Sequence, residues 1–338
     1  MQRTEVSQPA IFAMQMALAE LWKSWGVMPA AVVGHSVGEV AAACVAGILT
    51  LKQAAKIIVL RGRFMDECSA AGGTMLAVGM TPEEAMAVIS RHDRTVSIAA
   101  FNGPRSLTLS GLKTSLEAIA TELEAKEIFA RFLQVSHPFH HAMMQPAADA
   151  LMAALGELVP QSEVIPFFST VTGDRLDGAS CDADHWSRGV RQPVEFASAI
   201  AALSGFGVDL WLEIGAHPAL VRSIQECLAD SGTKSVVVAS TRREREHESL
   251  LETAMDLHLA GVDLDFSAIT PSRRNLHLPA YSWDKSRWWS ESAETREGRL
   301  GPGGKGLLDV RLPRATPTWI TRLDARHMAF LKDHRVEN

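Results

Sequence analysis

The chain has 338 residues, 47% of them hydrophobic and 21% charged, which is the composition of a water-soluble globular protein. Lys and Arg total 33 against 39 Asp and Glu, a net charge of -6, so there is no basic footprint for nucleic acid or an anionic membrane surface. At roughly 150 residues per domain the length implies about two domains and excludes a single small module.

Met1 to Val6 offer neither a basic n-region nor an apolar h-region, so no secretory signal is expected. Gln8 to Trp25 carries Ile11, Phe12, Met14, Leu18, Leu21 and Trp22 at helical spacing. Ala31 to Val33 reads as a short buried strand that runs into Gly34. Glu39 to Leu49 reads as a buried helix, and Thr50 opens another from Leu51 to Met65. This opening is a parallel α/β unit. From residue 73 to 136 the predicted order is strand Thr74–Val78, helix Pro82–Ser90 with Thr81 as its N-cap, strand Val96–Ala100, strand Leu107–Ser110 after an Asn102-Gly103-Pro104 turn, helix Lys113–Glu127 and strand Phe129–Val135. That β-α-β-β-α-β order is ferredoxin-like and reads as a small subdomain inserted into the larger one. The α/β pattern then resumes: helix Ala142–Leu155, strand Pro166–Ser169, helix Phe196–Ser204, strand Leu210–Ile214, helix Pro218–Leu228, strand Ser235–Ala239 and helix Glu246–Ala260.

The large subdomain is accordingly assigned to residues 1–72 and 137–265, with 266–306 as a linker. Its Ser290 to Lys305 part is polar and Gly-rich and cannot build a core. Leu307 to Asn338 is too short to fold alone. Cys44, Cys68, Cys181 and Cys227 have no metal-ligand or redox-motif spacing, so reduced thiols, no metal and a cytoplasmic location are expected.

The strongest chemical signal is Gly34-His35-Ser36-Val37-Gly38 between a strand and a helix. A nucleophile elbow needs small residues flanking its serine, because the tight turn leaves no room beside it. The Ser36 hydroxyl then sits at a helix N-terminus, where the Val37 N–H can stabilise an oxyanion. The bland alternative is a structural turn. A serine nucleophile needs a base. Of the 12 histidines, His137, His140 and His141 cluster where the inserted subdomain returns to the larger one, and the residues alone do not choose among them. Arg61 ends an apolar helical stretch 25 residues after Ser36. It reads either as a snorkelling side chain or as a bidentate clamp for a carboxylate.

At these positions the sequence resembles the acyltransferase domain of type I polyketide synthases, relatives of malonyl-CoA:acyl carrier protein transacylase. The resemblance runs over residues 7–290. It rests on Gly34-His-Ser-Val-Gly-Glu39, Leu60-Arg61, Ala99 to Pro104, Leu109-Ser-Gly111, Val135 to His140, Ser169 to Gly173, Arg191 to Phe196 and Glu213 to Leu220. It implies an α/β-hydrolase-like large subdomain with the ferredoxin-like insertion. It further implies that Ser36 carries the acyl group, that His140 is its base, and that Arg61, Phe139 and His35 bind substrate. The family's histidine is oriented by a main-chain carbonyl, and the matching position is Gly189, where relatives carry Asn or His. His-Pro-Phe-His resembles the malonyl-specific form of the motif, a phenylalanine filling the space of a 2-methyl branch. The substrates implied are malonyl-CoA and a phosphopantetheinylated acyl carrier protein, with no bound cofactor and with ketosynthase and dehydratase domains as neighbours. Leu278 to Trp283 with Arg287-Trp-Trp289 resembles the segment that follows this domain. Pro317-Thr-Trp319 and Phe330 to Val336 resemble the start of a dehydratase, with His334 at its catalytic base. The family's opening strand and Gly-Gln-Gly loop, which donates a second oxyanion N–H, have no match before Gln8. The rivals are a serine hydrolase or thioesterase, which has no use for Arg61, and an inactive synthase fragment serving as an interaction surface.

Overall fold

Apolar side chains every three or four residues fold Thr4–Ser24 into a helix (α1) that buries Phe12, Leu18 and Trp22. It starts ahead of the predicted Gln8 because the Asp66 carboxylate accepts the Thr4 N–H at 2.9 Å. The structure, a computed structural model, describes residues 3–68, 72–92, 95–135, 137–229, 235–270, 279–286, 288–293, 295, 308 and 310–321. Residues 1–273 and 274–338 form separate units. Among the described residues no helix is long and apolar enough to cross a membrane.

After α1 come a two-residue strand Val32–Val33 (β1), helix Gly38–Val45 (α2) and helix Leu51–Glu67 (α3). Thr50 and Gln53 form a capping box at the start of α3. The small subdomain follows: Gly73–Val78 (β2), Pro82–Ile89 (α4), Val96–Gly103 (β3), Ser106–Leu112 (β4), Lys113–Ala125 (α5) and Ala130–Phe132 (β5). Thr81 caps α4 as expected. The four strands make an antiparallel sheet in the order β3-β4-β2-β5, over a core that includes Leu76, Leu109, Leu116, Ile119 and Leu123. Strand β3 runs beyond the predicted Ala100 because its far end is docked on the large subdomain. Phe101 N–H donates to the Val194 carbonyl and Val194 N–H to that of Ala99, both at 2.9 Å.

The large subdomain continues with Gln145–Leu155 (α6), Phe167–Ser169 (β6), Asp174–Arg175 (β7), Ala183–Arg191 (α7), Phe196–Gly205 (α8), Leu210–Glu213 (β8), Val221–Ala229 (α9), Val236–Ala239 (β9), Glu246–Leu259 (α10) and Phe266–Ile269 (α11). Its strands pair in parallel as β1-β6 and β8-β9, the arrangement expected of an α/β layer. One short strand runs the other way. Gly173, at φ 77°, turns the chain back, so β7 pairs antiparallel with β6. Helices α2, α3, α6 and α7 enclose the core around Ile57, Ile58, Leu151, Phe167 and Val190.

In the second unit Val310–Leu312 (β10) and Thr318–Ile320 (β11) pair as an antiparallel hairpin. His334, the rest of the dehydratase-like run after residue 321 and most of the Gly-rich stretch lie outside the described residues.

Candidate active site

Strand β1 delivers the chain to an elbow that depends on glycine at position 34. A Cβ on Gly34 would lie 2.3 Å from the Glu39 Cα, a distance real side chains do not tolerate, and Ser36 holds φ 51°. Gly38 packs against the Gln15 side chain, whose amide nitrogen would lie 3.3 Å from a Cβ there. Helix α2 begins there, and the Val37 N–H at its mouth has no acceptor among the described residues. An unpaired amide at a helix N-terminus beside a hydroxyl is positioned to receive negative charge.

The histidine that faces this hydroxyl comes from the other end of the small subdomain. His140, also with positive φ at 59°, brings its Nε2 to 2.8 Å from Ser36 Oγ. Its Nδ1 lies 2.8 Å from the Gln192 carbonyl oxygen. A carbonyl only accepts, so Nδ1–H donates to it, and the neutral ring presents Nε2 as the acceptor for the serine hydroxyl. Burial, and then the positive charge of Arg61, push the His140 pKa down to about 3. The ring is therefore an unprotonated base across the neutral range. Its two neighbours do other work. His137 stacks on Phe139 at 5.5 Å between ring centroids, and His141 Nδ1 accepts the Met143 N–H at the start of a short helical turn.

The orienting carbonyl belongs to Gln192, not to Gly189, and Pro193 explains both positions. A helical Gly189 carbonyl would bond the N–H of residue 193, but proline has none, so that oxygen is left over and accepts from Arg61 Nη2 at 3.3 Å. The residue before a proline is driven to extended backbone. Gln192 accordingly ends α7 at φ -75° and ψ 155°, and its carbonyl meets His140. The Gln-Pro pair was the sequence signal for this.

Arg61 is 4% exposed. Besides Gly189 it donates to Gln8 Oε1 at 2.6 Å and to Ser36 Oγ at 3.1 Å. All three acceptors are neutral, and burial lowers its pKa to about 10, so it stays charged at neutral pH. A buried cation with no carboxylate in direct contact among the described residues favours an anion brought from outside. A cavity of about 200 Å³ opens beside it, lined by Gln8, Ser36, Val37, Arg61, His137 and Phe139 among others. His35 is not among the residues that line this cavity. Its Nε2 is 2.8 Å from Asn102 Oδ1 and its ring meets Phe196 edge-on, so it ties the elbow to β3. The Glu213 to Leu220 motif also has a structural use, since the Glu213 carboxylate accepts the N–H groups of Ala219, Leu220 and Val221 at the start of α9.

Residues 1–264 match the family model described as acyl transferase domain. The chain belongs to that family. Among its relatives, the polyketide synthase GfsB of Streptomyces halstedii is 36% identical over 346 residues, covering 99% of this chain and 6% of the relative. The erythronolide synthase EryA2 of Saccharopolyspora erythraea is 37% identical over 294 residues, covering 86% of this chain and 8% of the relative. The acyltransferase domain thus spans under a tenth of the length of these synthases. In structure it is similar to the acyltransferase domain from module 8 of the salinomycin polyketide synthase, with TM-score 0.76, 33% identity and coverage of 79% of this chain and 63% of that one. It also matches a malonyl CoA-acyl carrier protein transacylase from Clostridium perfringens, with TM-score 0.68, 28% identity and coverage of 77% and 82%.

Proposed function

We infer that this acyltransferase domain moves a malonyl unit from CoA to the phosphopantetheine thiol of an acyl carrier protein through an ester on Ser36. The observation that carries the reading is the chain of contacts Gln192 carbonyl, His140 ring, Ser36 hydroxyl, with Arg61 on the same serine oxygen. In the first half His140 Nε2 takes the proton as Ser36 Oγ attacks the thioester carbon. The Val37 N–H receives the tetrahedral oxyanion, and the CoA thiolate leaves with the proton that His140 returns. In the second half the carrier thiol gives its proton to His140 and attacks the ester, and Ser36 leaves reprotonated. Arg61 holds the distal carboxylate of the malonyl group, and Phe139 occupies the space a 2-methyl branch would need. No metal takes part in these steps. Carrier protein and neighbouring ketosynthase and dehydratase domains are the partners this reading calls for, and residues 307–338 with His334 fit the start of such a dehydratase.

A chase experiment tests the reading against its rivals. The chain is loaded with radiolabelled malonyl-CoA and divided between buffer and a phosphopantetheinylated carrier protein. Transfer of label to the carrier, faster than its loss to water, is expected. Rapid release to water with no transfer would identify a hydrolase, and no loading of the folded chain would identify a binding fragment.

A further inference from the structure

Glu39 is 3% exposed and has no part in the chemistry above, yet its carboxylate is saturated. Oε1 accepts from Ser169 Oγ at 2.6 Å and from His185 Nε2 at 3.1 Å. Oε2 lies 3.0 Å from the Thr170 N–H and 2.6 Å from Thr170 Oγ1, which is also 2.9 Å from the Gly34 carbonyl oxygen. Glu39 is in the first turn of α2, its own N–H donating to the Ser36 carbonyl at 3.0 Å. His185 is likewise buried and sits near the start of α7, where the Asp182 side chain accepts its N–H.

The spacing along α7 gives this contact its meaning. Positions 185, 189 and 192 are four and three residues apart, so they follow one face of the helix and its exit. That face meets Glu39 through the His185 ring, Arg61 through the Gly189 carbonyl and His140 through the Gln192 carbonyl. The two carbonyls are backbone atoms and go wherever the helix goes. We propose that Glu39 and His185 are a positioning pair: their buried contact ties α7 to the nucleophile elbow and so sets where Gly189 and Gln192 present their carbonyls to Arg61 and His140. The proposal rests on the Ser36–His140 reading and adds two residues to it that act through the placement of α7.

The test is single-turnover acylation of Ser36 in the full chain by malonyl-CoA and by acetyl-CoA, quenched and read by mass spectrometry, for wild type, His185→Leu and His185→Gln. Misplacing a catalytic group by about 1 Å costs on the order of 100-fold. His185→Leu is therefore expected to lower the acylation rate constant per folded molecule about 10- to 100-fold with both thioesters, with little change in KM for acetyl-CoA. His185→Gln, which keeps a donor toward Glu39, is expected to restore most of it. If His185→Leu does not fold, Ser169→Ala, which removes the other donor on the same Glu39 oxygen, is expected to slow acylation about 3- to 10-fold. Rate constants per folded molecule equal to wild type, or no recovery with His185→Gln, would overturn the proposal. Absence of acylation in wild type would instead overturn the reading of Ser36.

Discussion

Ser36 and His140 are 104 residues apart in the chain, and their side chains meet at 2.8 Å from two backbones that both hold positive φ. Non-glycine residues adopt that conformation at a cost of about 1–3 kcal/mol, and it persists only where the surroundings impose it. Here the elbow imposes it on one side and the return of the small subdomain on the other. The strain aims two side chains at one point.

Gly34 makes the elbow possible, and replacing it tests that dependence. The Cβ of Gly34→Ala would fall against the backbone of Glu39 and Gly38 rather than against a flexible side chain. A loss of about 3 kcal/mol or more is expected in denaturant unfolding. A midpoint within experimental error of wild type would show that the turn relaxes.

His140 gives the fold a pH dependence whose sign is set by its depressed pKa. In the unfolded chain the ring takes a proton near 6.5, and in the folded chain only near 3. Between those values the unfolded state binds more protons, so stability falls as pH drops from 6.5 toward 3. His140→Gln, measured by urea unfolding across that window, is expected to flatten the slope. Part of the slope remains with His35, whose pKa burial also lowers. An unchanged slope would contradict a buried neutral His140.

Arg61 is expected to discriminate by charge. Arg61→Ala removes a buried positive charge placed against both Ser36 and the cavity, so loading from malonyl-CoA should weaken by about 2–4 kcal/mol, roughly 30- to 1,000-fold. Acetyl-CoA loading has no carboxylate to lose and should change far less. Equal losses with both thioesters would remove the clamp role.

Phe139 is expected to discriminate by volume. It stacks on His137 and lines the cavity that also holds Ser36 and Arg61. One methyl group is worth about 1–3 kcal/mol in a pocket. Phe139→Ser should therefore raise methylmalonyl loading relative to malonyl about 10-fold or more. A ratio that stays put would show that selection is made elsewhere.

The elbow, the small subdomain and the histidine cluster were legible in the sequence because each follows from local rules: glycines around a serine, alternating strands and capped helices, three histidines at a junction. Which histidine faces Ser36 was not legible from the residues alone, since that depends on which ring the fold brings to the serine. Helix α7 was missed for a physical reason. Its buried residues are Ala183, His185, Trp186, Ser187 and Val190, so only three apolar side chains, at 183, 186 and 190, mark a short helix otherwise made of polar and charged residues and Gly189. The Gln192 carbonyl was missed because a backbone acceptor has no side-chain signature, and Gly189 stood in for it through a motif match. Only Pro193, which frees one carbonyl and turns the other, carried that information in the sequence.

The most direct test of the Ser36 mechanism is the acyl-enzyme itself. The purified, folded chain is incubated with malonyl-CoA, quenched in acid, digested and examined by mass spectrometry. A malonyl ester on the peptide that carries Ser36, lost in Ser36→Ala and slowed about 100-fold or more in His140→Ala, is the expected result. Folded wild-type protein with no adduct, or an adduct on another residue that survives Ser36→Ala, would contradict it.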